Sequence, residues 1–407
     1  MTGRTVVIGG GAAGIAAART LHDAGREVLL IEAADRLGGR ARSVRLPTGH
    51  VVDHGCGWLH SAKRNPWTRI AQQAGFTIDR RRPNWQIQWN DLGFPPDQKR
   101  ASGEAYARFE TSAIAALDGP DRPLSDFVAN DDPWQPMIDA VSGYANGASL
   151  AEVSLHDWAA YENAATDDNW AVVEGYGTVV AHHAAGLTIR TGATATRIDH
   201  RGKTIRIDTS AGTLEGDQVI VAVPTTVLAQ GKLTFDPPLP AKQDAAAALP
   251  LGIADKVFLS VEGPLPWPAH AHLTGNPRSA CTASHRLSPF GWPIVESFFG
   301  GPCAEALEED GAATAFAIDE LVALLGSNWR KRLTPLDATR WRRTPWVGGS
   351  YSHAKIGHAG SRQTLAEPVD GRLFFAGEAC SHEDFSTAHG AYQTGVAAAR
   401  KILSIAP

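Results

Sequence analysis

A short apolar run followed at once by closely spaced glycines opens the chain. Thr5–Ile8 precedes Gly9, Gly11 and Gly14, and an alanine-rich stretch follows over Ile15–His22. Glycines at this spacing let a strand turn sharply into a helix whose first amides bind a phosphate group. The segment therefore predicts a strand, a phosphate-binding turn and a helix, the beginning of a Rossmann-like α/β domain.

An acidic residue stands where such a domain binds a ribose. The apolar run Glu27–Ile31 predicts a second, buried parallel strand, and Glu32 ends it. A carboxylate at this point binds the ribose hydroxyls of an adenosine and disfavours a 2′-phosphate. Gly38, Gly39 and Arg40 follow, so the backbone can approach a cofactor closely and the arginine can reach a phosphate or a ring edge.

The end of the chain predicts a second contact with the same cofactor. Leu373–Phe375 is an apolar run typical of a buried strand, Gly377 and Glu378 follow it, and Thr387 and Ala388 open a further helix. A chain that returns to its cofactor after so long a stretch encloses a large one. FAD fits this pattern better than NAD.

Two long segments interrupt the predicted nucleotide-binding domain. Tryptophans, prolines and turn residues mark residues 80–180, and residues 235–340 mix strands with a helix predicted over Ala312–Leu325. We predict an α/β fold with a Rossmann-like (GR2-type) FAD-binding domain of residues 1–78, 185–235 and 338–407. The inserted α+β substrate-binding domain comprises residues 79–184 and 236–337.

Length, charge and cysteine content limit the classes of protein to which this chain can belong. The chain has 407 residues, enough for two or three domains, and a net charge of −5, so neither nucleic acid nor an anionic membrane is expected as a partner. The first strand begins too near Met1 for a signal peptide, and no apolar run spans a bilayer. Cys56, Cys281, Cys303 and Cys380 lack metal-ligand spacing. We expect unpaired thiols, a cytoplasmic protein without metal, and a monomer or homodimer.

Several blocks in the same order resemble the FAD-dependent amine oxidases, the family of monoamine oxidases, polyamine oxidases and lysine-specific histone demethylases. The polyamine oxidase-like members are the most similar. The blocks are Glu32–Arg40, Val52–His60, Gly252–Leu259, Arg340–Ser352 and Phe374–Ala391.

The resemblance implies roles for single residues. Lys256 corresponds to the family lysine that reaches the flavin N5 through a water, and Tyr351 to one wall of an aromatic cage for the amine. His60 orients the amine or a water, although a structural role for this histidine is equally consistent with the sequence. Ser350 stands where monoamine oxidases have a flavin-linked cysteine, so the FAD is expected to be non-covalent.

The resemblance also implies the remaining contacts. The expected FAD-binding residues are Gly9, Gly11, Gly14, Glu32, Arg40, Gly57, Trp58, Ala195, Trp341, Gly377, Glu378, Thr387 and Ala388. The expected substrate contacts are Tyr351, Phe385, Thr387 and Trp346.

The implied reaction is amine oxidation. Hydride passes from the carbon next to an amine nitrogen to FAD, the imine is hydrolysed, and O2 reoxidises the flavin and yields H2O2. The expected substrate is a polyamine or another secondary or primary amine. A flavoprotein acting on a C–C bond, an amine dehydrogenase with another acceptor and a non-catalytic FAD-bound scaffold are the alternatives; Lys256 and Tyr351 argue against the first.

Overall fold

The computed structural model describes residues 3–405. The strands are β1 (Thr5–Ile8), β2 (Val28–Ile31), β3 (Ser43–Arg45), β4 (Val51–Asp53), β5 (Ile78–Asp79), β6 (Ala171–Val172), β7 (Ile189–Arg190), β8 (Ala195–Asp199), β9 (Ile205–Thr209), β10 (Gly212–Gly216), β11 (Gln218–Val221), β12 (Thr234–Asp236), β13 (Ala254–Val261), β14 (Ala271–Thr274), β15 (Ser284–Leu287), β16 (Ile294–Gly300), β17 (Leu333–Ala338) and β18 (Leu373–Phe375).

The α-helices are α1 (Ala12–Asp23), α2 (Pro66–Gln73), α3 (Pro96–Ala115), α4 (Gln135–Asn146), α5 (Leu155–Ala164), α6 (Tyr176–His182), α7 (Thr225–Ala229), α8 (Pro240–Ala248), α9 (Gly301–Ala306), α10 (Ala312–Leu325), α11 (Ser361–Ala366) and α12 (Ala388–Ile405).

A five-stranded parallel sheet in the order β18-β11-β1-β2-β7 joins the two ends of the chain. Its central strands are apolar runs covered on both faces, as parallel strands usually are. Helices α1 and α12 pack together on one face, where a Cβ atom at Gly395 would lie only 2.1 Å from the Ala13 carbonyl oxygen. The Rossmann-like α/β prediction is confirmed.

The other face of the parallel sheet is covered by a second sheet of order β10-β9-β8-β12. Alternate residues of β1, Val6 and Ile8, point into this second core, whereas Val7 points into the helical one. Ile198, Ile205 and Leu214 fill the opposite side of the second core. The cofactor half of the molecule is therefore three layers thick.

An antiparallel sheet of order β14-β15-β16-β13-β17 forms the other half. Helix α10 packs on it through Ala317 and Leu321, and it covers the range predicted for it from the sequence. Helices α3, α4 and α5 form a separate core around Phe109 and Trp158. Where α4 meets β16, a Cβ atom at Gly143 would lie 2.7 Å from the Gly300 carbonyl oxygen, so the two backbones are nearly in contact.

Two segments that the sequence analysis assigned to the inserted domain pack with the cofactor half. Val172 of β6 and Tyr176 of α6 lie in the core with α1 and α12. Ala245 and Ala246 of α8 lie in the core of the second sheet. The two-domain division stays a prediction, with these two segments on the cofactor side.

The cysteines depart from the expectation of unpaired thiols. Cys281 and Cys303 form a disulfide, whereas Cys56 and Cys380 are free. The prediction is therefore wrong for this pair, which lies in two segments that only the tertiary fold brings together. The argument for a reducing compartment is lost with it. Within residues 3–405, no helix is both long and apolar enough to cross a membrane.

Candidate active site

One cavity of about 1250 Å³ begins at the carboxyl edge of the parallel sheet and extends to the antiparallel sheet. All but one of the residues predicted for the site line it; the exception is Gly14. Those that line it are Gly9, Gly11, Glu32, Arg40, Gly57, Trp58, His60, Ala195, Lys256, Trp341, Trp346, Tyr351, Gly377, Glu378, Phe385, Thr387 and Ala388.

The glycine turn fits a pyrophosphate. Gly9 has φ +108°, and a Cβ atom there would lie 2.4 Å from the Ala222 carbonyl oxygen. Gly14 lies outside the cavity because it packs against the turn: its Cβ atom would lie 1.8 Å from the Gly9 carbonyl oxygen. Helix α1 begins after Gly11 without a side-chain cap, which leaves its first amides free to bind an anion.

The adenosine end of the cavity is marked by Glu32. Its Oε2 accepts a hydrogen bond from the Gly10 amide at 2.6 Å and its Oε1 accepts one from the Ala34 amide at 2.8 Å. Both oxygens are held at the end of β2 and keep lone pairs for ribose hydroxyls. Ala195 lines the same cavity from β8.

Glu378 connects the two ends of the chain. Its Oε1 accepts a hydrogen bond from Arg40 Nη1 at 2.7 Å, and its Oε2 accepts from Ser352 Oγ at 2.6 Å and from the Ser386 amide at 2.9 Å. Burial alone would raise the pKa of Glu378, but Arg40 and the Ser352 hydroxyl hold that pKa below its ordinary value. A carboxylate predicted to bind a cofactor hydroxyl is thus also the centre of a buried network.

That network continues into the inserted part of the chain. Arg362 donates from Nε and Nη2 to the two carboxylate oxygens of Asp157 on α5, at 2.6 and 2.8 Å, and from Nη1 to Ser352 Oγ at 2.9 Å. Its guanidinium carbon lies 3.6 Å from the centre of the Phe385 ring. The arginine therefore fixes a predicted substrate contact and the Glu378 network together.

Lys256 of β13 lies at the middle of the cavity with its ammonium group fully engaged. Nζ donates to the carbonyl oxygens of Asp53 at 2.9 Å and Gly55 at 3.1 Å, and it lies 2.8 Å from Glu296 Oε1. An ammonium has three N–H bonds, and three protein acceptors use them. Lys256 is therefore a fixed positive charge, and a water bound to it would share one of these donors. Gly57 passes close by, since a Cβ atom there would lie 3.3 Å from Nζ.

Glu296 and Arg286 are site residues that the sequence analysis missed. They lie directly opposite each other on β16 and β15 and line the cavity. Burial raises the pKa of Glu296, but Lys256 and Arg286 more than offset this, so its pKa is lowered and it is ionised. A signal was present: Glu296 is the one charged residue in the mostly apolar run Ile294–Phe299.

Aromatic rings form the walls around the predicted amine position. Tyr351 donates its hydroxyl hydrogen to the Tyr144 carbonyl oxygen, so the ring is fixed in orientation. Phe385 packs on Tyr161 with ring centres 5.5 Å apart. Tyr144 and Tyr161 line the cavity and were also missed, because they lie in the tryptophan-rich segment, where the sequence analysis identified no block of the family. Trp346 is 44% exposed.

The Thr387 hydroxyl group caps helix α12. Its Oγ1 donates to the Asp384 carbonyl oxygen at 2.6 Å and accepts from the Gly390 amide at 3.0 Å. Its hydroxyl is therefore occupied within the protein, and its contact with substrate stays a prediction.

Two further predicted residues have defined partners. His60 Nδ1 lies 2.6 Å from Asn169 Oδ1, so Nδ1 carries the proton and Nε2 is left as an acceptor. Burial lowers the pKa of His60 to about 4. Trp341 is buried and donates from Nε1 to the His54 carbonyl oxygen at 3.2 Å.

The position of Ser350 agrees with a non-covalent cofactor. Its Oγ accepts from the Ala254 amide at 2.8 Å and donates to the Ala254 carbonyl oxygen at 2.9 Å. A serine has no sulfur with which to form a thioether to the flavin, and this hydroxyl group is already hydrogen-bonded within the protein. The uncapped α1, the close turn at Gly9 and the carboxylate of Glu32 together fit FAD.

The comparison with known proteins decides the family. The family model described as flavin containing amine oxidoreductase matches residues 12–94 and 124–403. The chain belongs to this family. FAD, held non-covalently, is its cofactor, and the chain is an oxidoreductase that acts on amines. The sequence-based recognition of the family is confirmed.

Individual amine oxidoreductases are similar over the whole length of the chain. Polyamine oxidase 2 of Arabidopsis thaliana is 30% identical, over 97% of this chain and 86% of the relative. Lysine-specific histone demethylase 2 of Homo sapiens is 26% identical over 98% of this chain, which spans only 53% of the demethylase. The solved structure of a wild-type putrescine oxidase bound to putrescine has a TM-score of 0.80, 18% identity and 99% coverage of both chains, and it supports the fold.

Proposed function

We propose that this flavin-containing amine oxidoreductase oxidises the C–H bond next to an amine nitrogen and uses O2 as its acceptor. The observation that carries the proposal is the continuity of one cavity, which reaches from the phosphate-binding turn at Gly9 past Lys256 to the rings of Tyr351 and Phe385. The substrate class is a primary or secondary amine, with polyamines included by the sequence prediction.

When bound, FAD supplies the electron acceptor, taking a hydride from the substrate and passing both electrons to O2, which gives H2O2. A neutral amine that has lost hydride is an iminium cation. Water adds to its carbon and the C–N bond breaks, which releases a carbonyl compound, an amine and a proton. The protein's own groups therefore have to orient a neutral amine and stabilise negative charge at the acceptor.

The described residues suit these two tasks. The fixed rings of Tyr351 and Phe385 restrict the substrate, and the neutral Nε2 of His60 can accept a hydrogen bond from an amine N–H. The Lys256 ammonium is a preorganised, buried positive charge, so it favours the gain of electrons nearby. O2 as acceptor, a cytoplasmic location and a monomeric or dimeric state stay predictions from the sequence, the location now without the support of unpaired cysteines.

The test is anaerobic mixing of the purified yellow holoenzyme with mono-, di- and polyamines. Bleaching of the flavin by an amine, followed by the return of colour with H2O2 when air is admitted, is the expected result. No bleaching by any amine would contradict the proposal and favour the C–C oxidising alternative. Bleaching without reoxidation in air would favour an amine dehydrogenase that uses another acceptor.

A further inference from the structure

The wall of the cavity beyond Lys256 is unusually polar and carries excess positive charge. Side chains from and beside the antiparallel strands line it, namely His270, His272, Thr274, Ser284, Arg286 and Glu296. Among the lining side chains, Lys256 and Arg286 are positive and Glu296 is negative. Behind them Asp79 is paired with Arg81, and Asp53 also attracts Arg286.

The histidines of this wall add no charge at neutral pH. Burial lowers the pKa of His270 to about 4 and that of His272 to about 3. The helical side of the cavity contributes Lys99 and Glu162, and because burial raises the pKa of Glu162 to about 7, this side adds no net negative charge at neutral pH. The excess positive charge beyond Lys256 is therefore not offset by another lining residue outside the cofactor end.

Arg286 has hydrogen-bond donors to spare. Nη2 lies 2.9 Å from His270 Nδ1, whereas His270 Nε2 lies 3.0 Å from Asp79 Oδ2, 2.8 Å from Arg81 Nη2 and 3.1 Å from the Phe290 amide nitrogen. Nη1 lies 3.7 Å from Glu296 Oε2, beyond hydrogen-bond distance, and Nε is buried without a partner. A guanidinium has five N–H bonds, and these contacts satisfy few of them.

Two aromatic rings also contact the Arg286 guanidinium group. Its carbon lies 4.5 Å from the centre of the Trp58 ring and 5.0 Å from that of Phe290. These contacts restrict the guanidinium, and because Arg286 lines the cavity, its terminal nitrogens can donate to a planar oxyanion. A second ammonium group, as in a diamine, would instead meet an excess of positive charge in a partly dehydrated wall.

We propose that Arg286 binds a carboxylate group carried by the amine substrate. The proposal rests on the proposed function and narrows it: the substrate is an amino-carboxylate, with its amine between the aromatic walls and its carboxylate on Arg286. The sequence analysis predicted a polyamine, whose far end is a positively charged ammonium group. The proposed substrate has a negatively charged carboxylate group at that end.

The experiment compares amines of one chain length on the holoenzyme under anaerobic conditions. Butylamine, diaminobutane and aminobutanoate share a four-carbon chain and differ at its far end, which is a methyl, an aminomethyl or a carboxylate group. The expected result is that aminobutanoate reduces the flavin with the highest efficiency, and that R286Q lowers this efficiency at least about ten times more than it lowers the efficiency with butylamine. R286K, which keeps the charge and loses the fork, should give an intermediate loss.

The matched control is R81Q. Arg81 pairs with Asp79 and contacts His270, but it does not line the cavity, so its loss removes a nearby positive charge and leaves every cavity-lining side chain in place. The control should leave the order of the three amines unchanged. Equal efficiency for the three amines, a preference for diaminobutane, or an equal loss for all three in R286Q would overturn the proposal.

Butanoate, which cannot be oxidised as an amine, separates this proposal from the proposed function. Its binding to the oxidised holoenzyme is read from the change in the flavin spectrum and should weaken at least about tenfold in R286Q. Binding of this kind without reduction by any amine would leave the carboxylate subsite standing and overturn amine oxidation. Reduction by amines without Arg286-dependent binding of butanoate would support amine oxidation and overturn the carboxylate subsite.

A second measurement applies if R286Q does not fold. Butanoate and butylamine are then tested for competition on the unmodified enzyme, and absence of competition counts against the subsite.

Discussion

The ammonium nitrogen of Lys256 lies 2.8 Å from Glu296 Oε1, and this pair joins neighbouring strands of the antiparallel sheet at the middle of the cavity. The lysine was expected from the sequence to donate through a water. Its three donors bind Glu296 and two backbone carbonyl groups, so the protein fixes the charge, and the contact through a water stays a prediction.

The Glu296–Lys256 pair should stabilise the fold. Glu296→Gln removes the negative charge and leaves Lys256 and Arg286 unbalanced in a buried wall, which we expect to lower the free energy of unfolding by about 3 kcal/mol. Chemical denaturation of the holoprotein at neutral pH measures this. An unchanged denaturation midpoint would contradict the assignment of Glu296 as an ionised partner.

The same pair predicts a dependence of stability on pH. The folded-state pKa of Glu296 is below its ordinary value of 4.5, so the stability it provides is complete above pH 4.5 and is lost as the pH falls through the lowered pKa. The difference in unfolding free energy between wild type and Glu296→Gln should therefore shrink on acidification below 4.5. A difference that grew on acidification would exclude a lowered pKa.

Lys256→Met should separate catalysis from cofactor binding. Loss of the fixed charge should slow flavin reduction or reoxidation about tenfold or more, while the FAD absorbance of the purified protein is retained. Lys242→Met is the matched control, because Lys242 is also buried but donates to the carbonyl oxygens of Thr364 and Leu365 away from the cavity. Lys242→Met should lower stability and leave the rates unchanged. Equal rates in both variants would remove Lys256 from the reaction.

Gly14→Ala should impair FAD binding although Gly14 does not line the cavity. The new methyl group would meet the Gly9 carbonyl oxygen and push the phosphate-binding turn out of position. The ratio of flavin to protein absorbance after purification is the readout. Gly360→Ala, where a Cβ atom meets nothing within 4 Å, is the control and should retain FAD. A full complement of FAD in Gly14→Ala would show that the turn tolerates the displacement.

His60 should not titrate near neutral pH. Because its pKa is lowered to about 4, the imidazole is neutral above about pH 5, and the limiting rate of flavin reduction should show no inflection from it between pH 5 and 8. His60→Gln should therefore change the size of the rate without changing the shape of the pH profile. An inflection near 6.5 in the wild type that disappears in His60→Gln would contradict the neutral assignment.

The cofactor half could be predicted because its determinants are local in sequence. Each apolar run that ends in a glycine or a carboxylate, such as Thr5–Ile8 with Gly9 or Leu29–Ile31 with Glu32, specifies both a buried strand and the group at its carboxyl end. Parallel strands bring those ends to one edge of the sheet. The position of the FAD-binding residues follows from these two facts.

The substrate wall could not be predicted because it depends on pairing between distant strands. Whether Arg286 and Glu296 face each other or face solvent is set by the register of β15 on β16, and a shift of one residue would reverse it. The position of Tyr144 on α4 also depends on contacts between distant segments, because its carbonyl oxygen accepts a hydrogen bond from a tyrosine more than 200 residues away. The Cys281–Cys303 disulfide likewise depends on where α9 packs.

The most direct test of amine oxidation is the anaerobic bleaching of the flavin by the preferred amine and by the same amine deuterated at the carbon next to nitrogen. The account predicts one equivalent of amine consumed per flavin, slower bleaching with the deuterated amine, and one equivalent of H2O2 as colour returns in air. A flavin that stays yellow with amines and is bleached only by a substrate with no nitrogen at the oxidised carbon would contradict it.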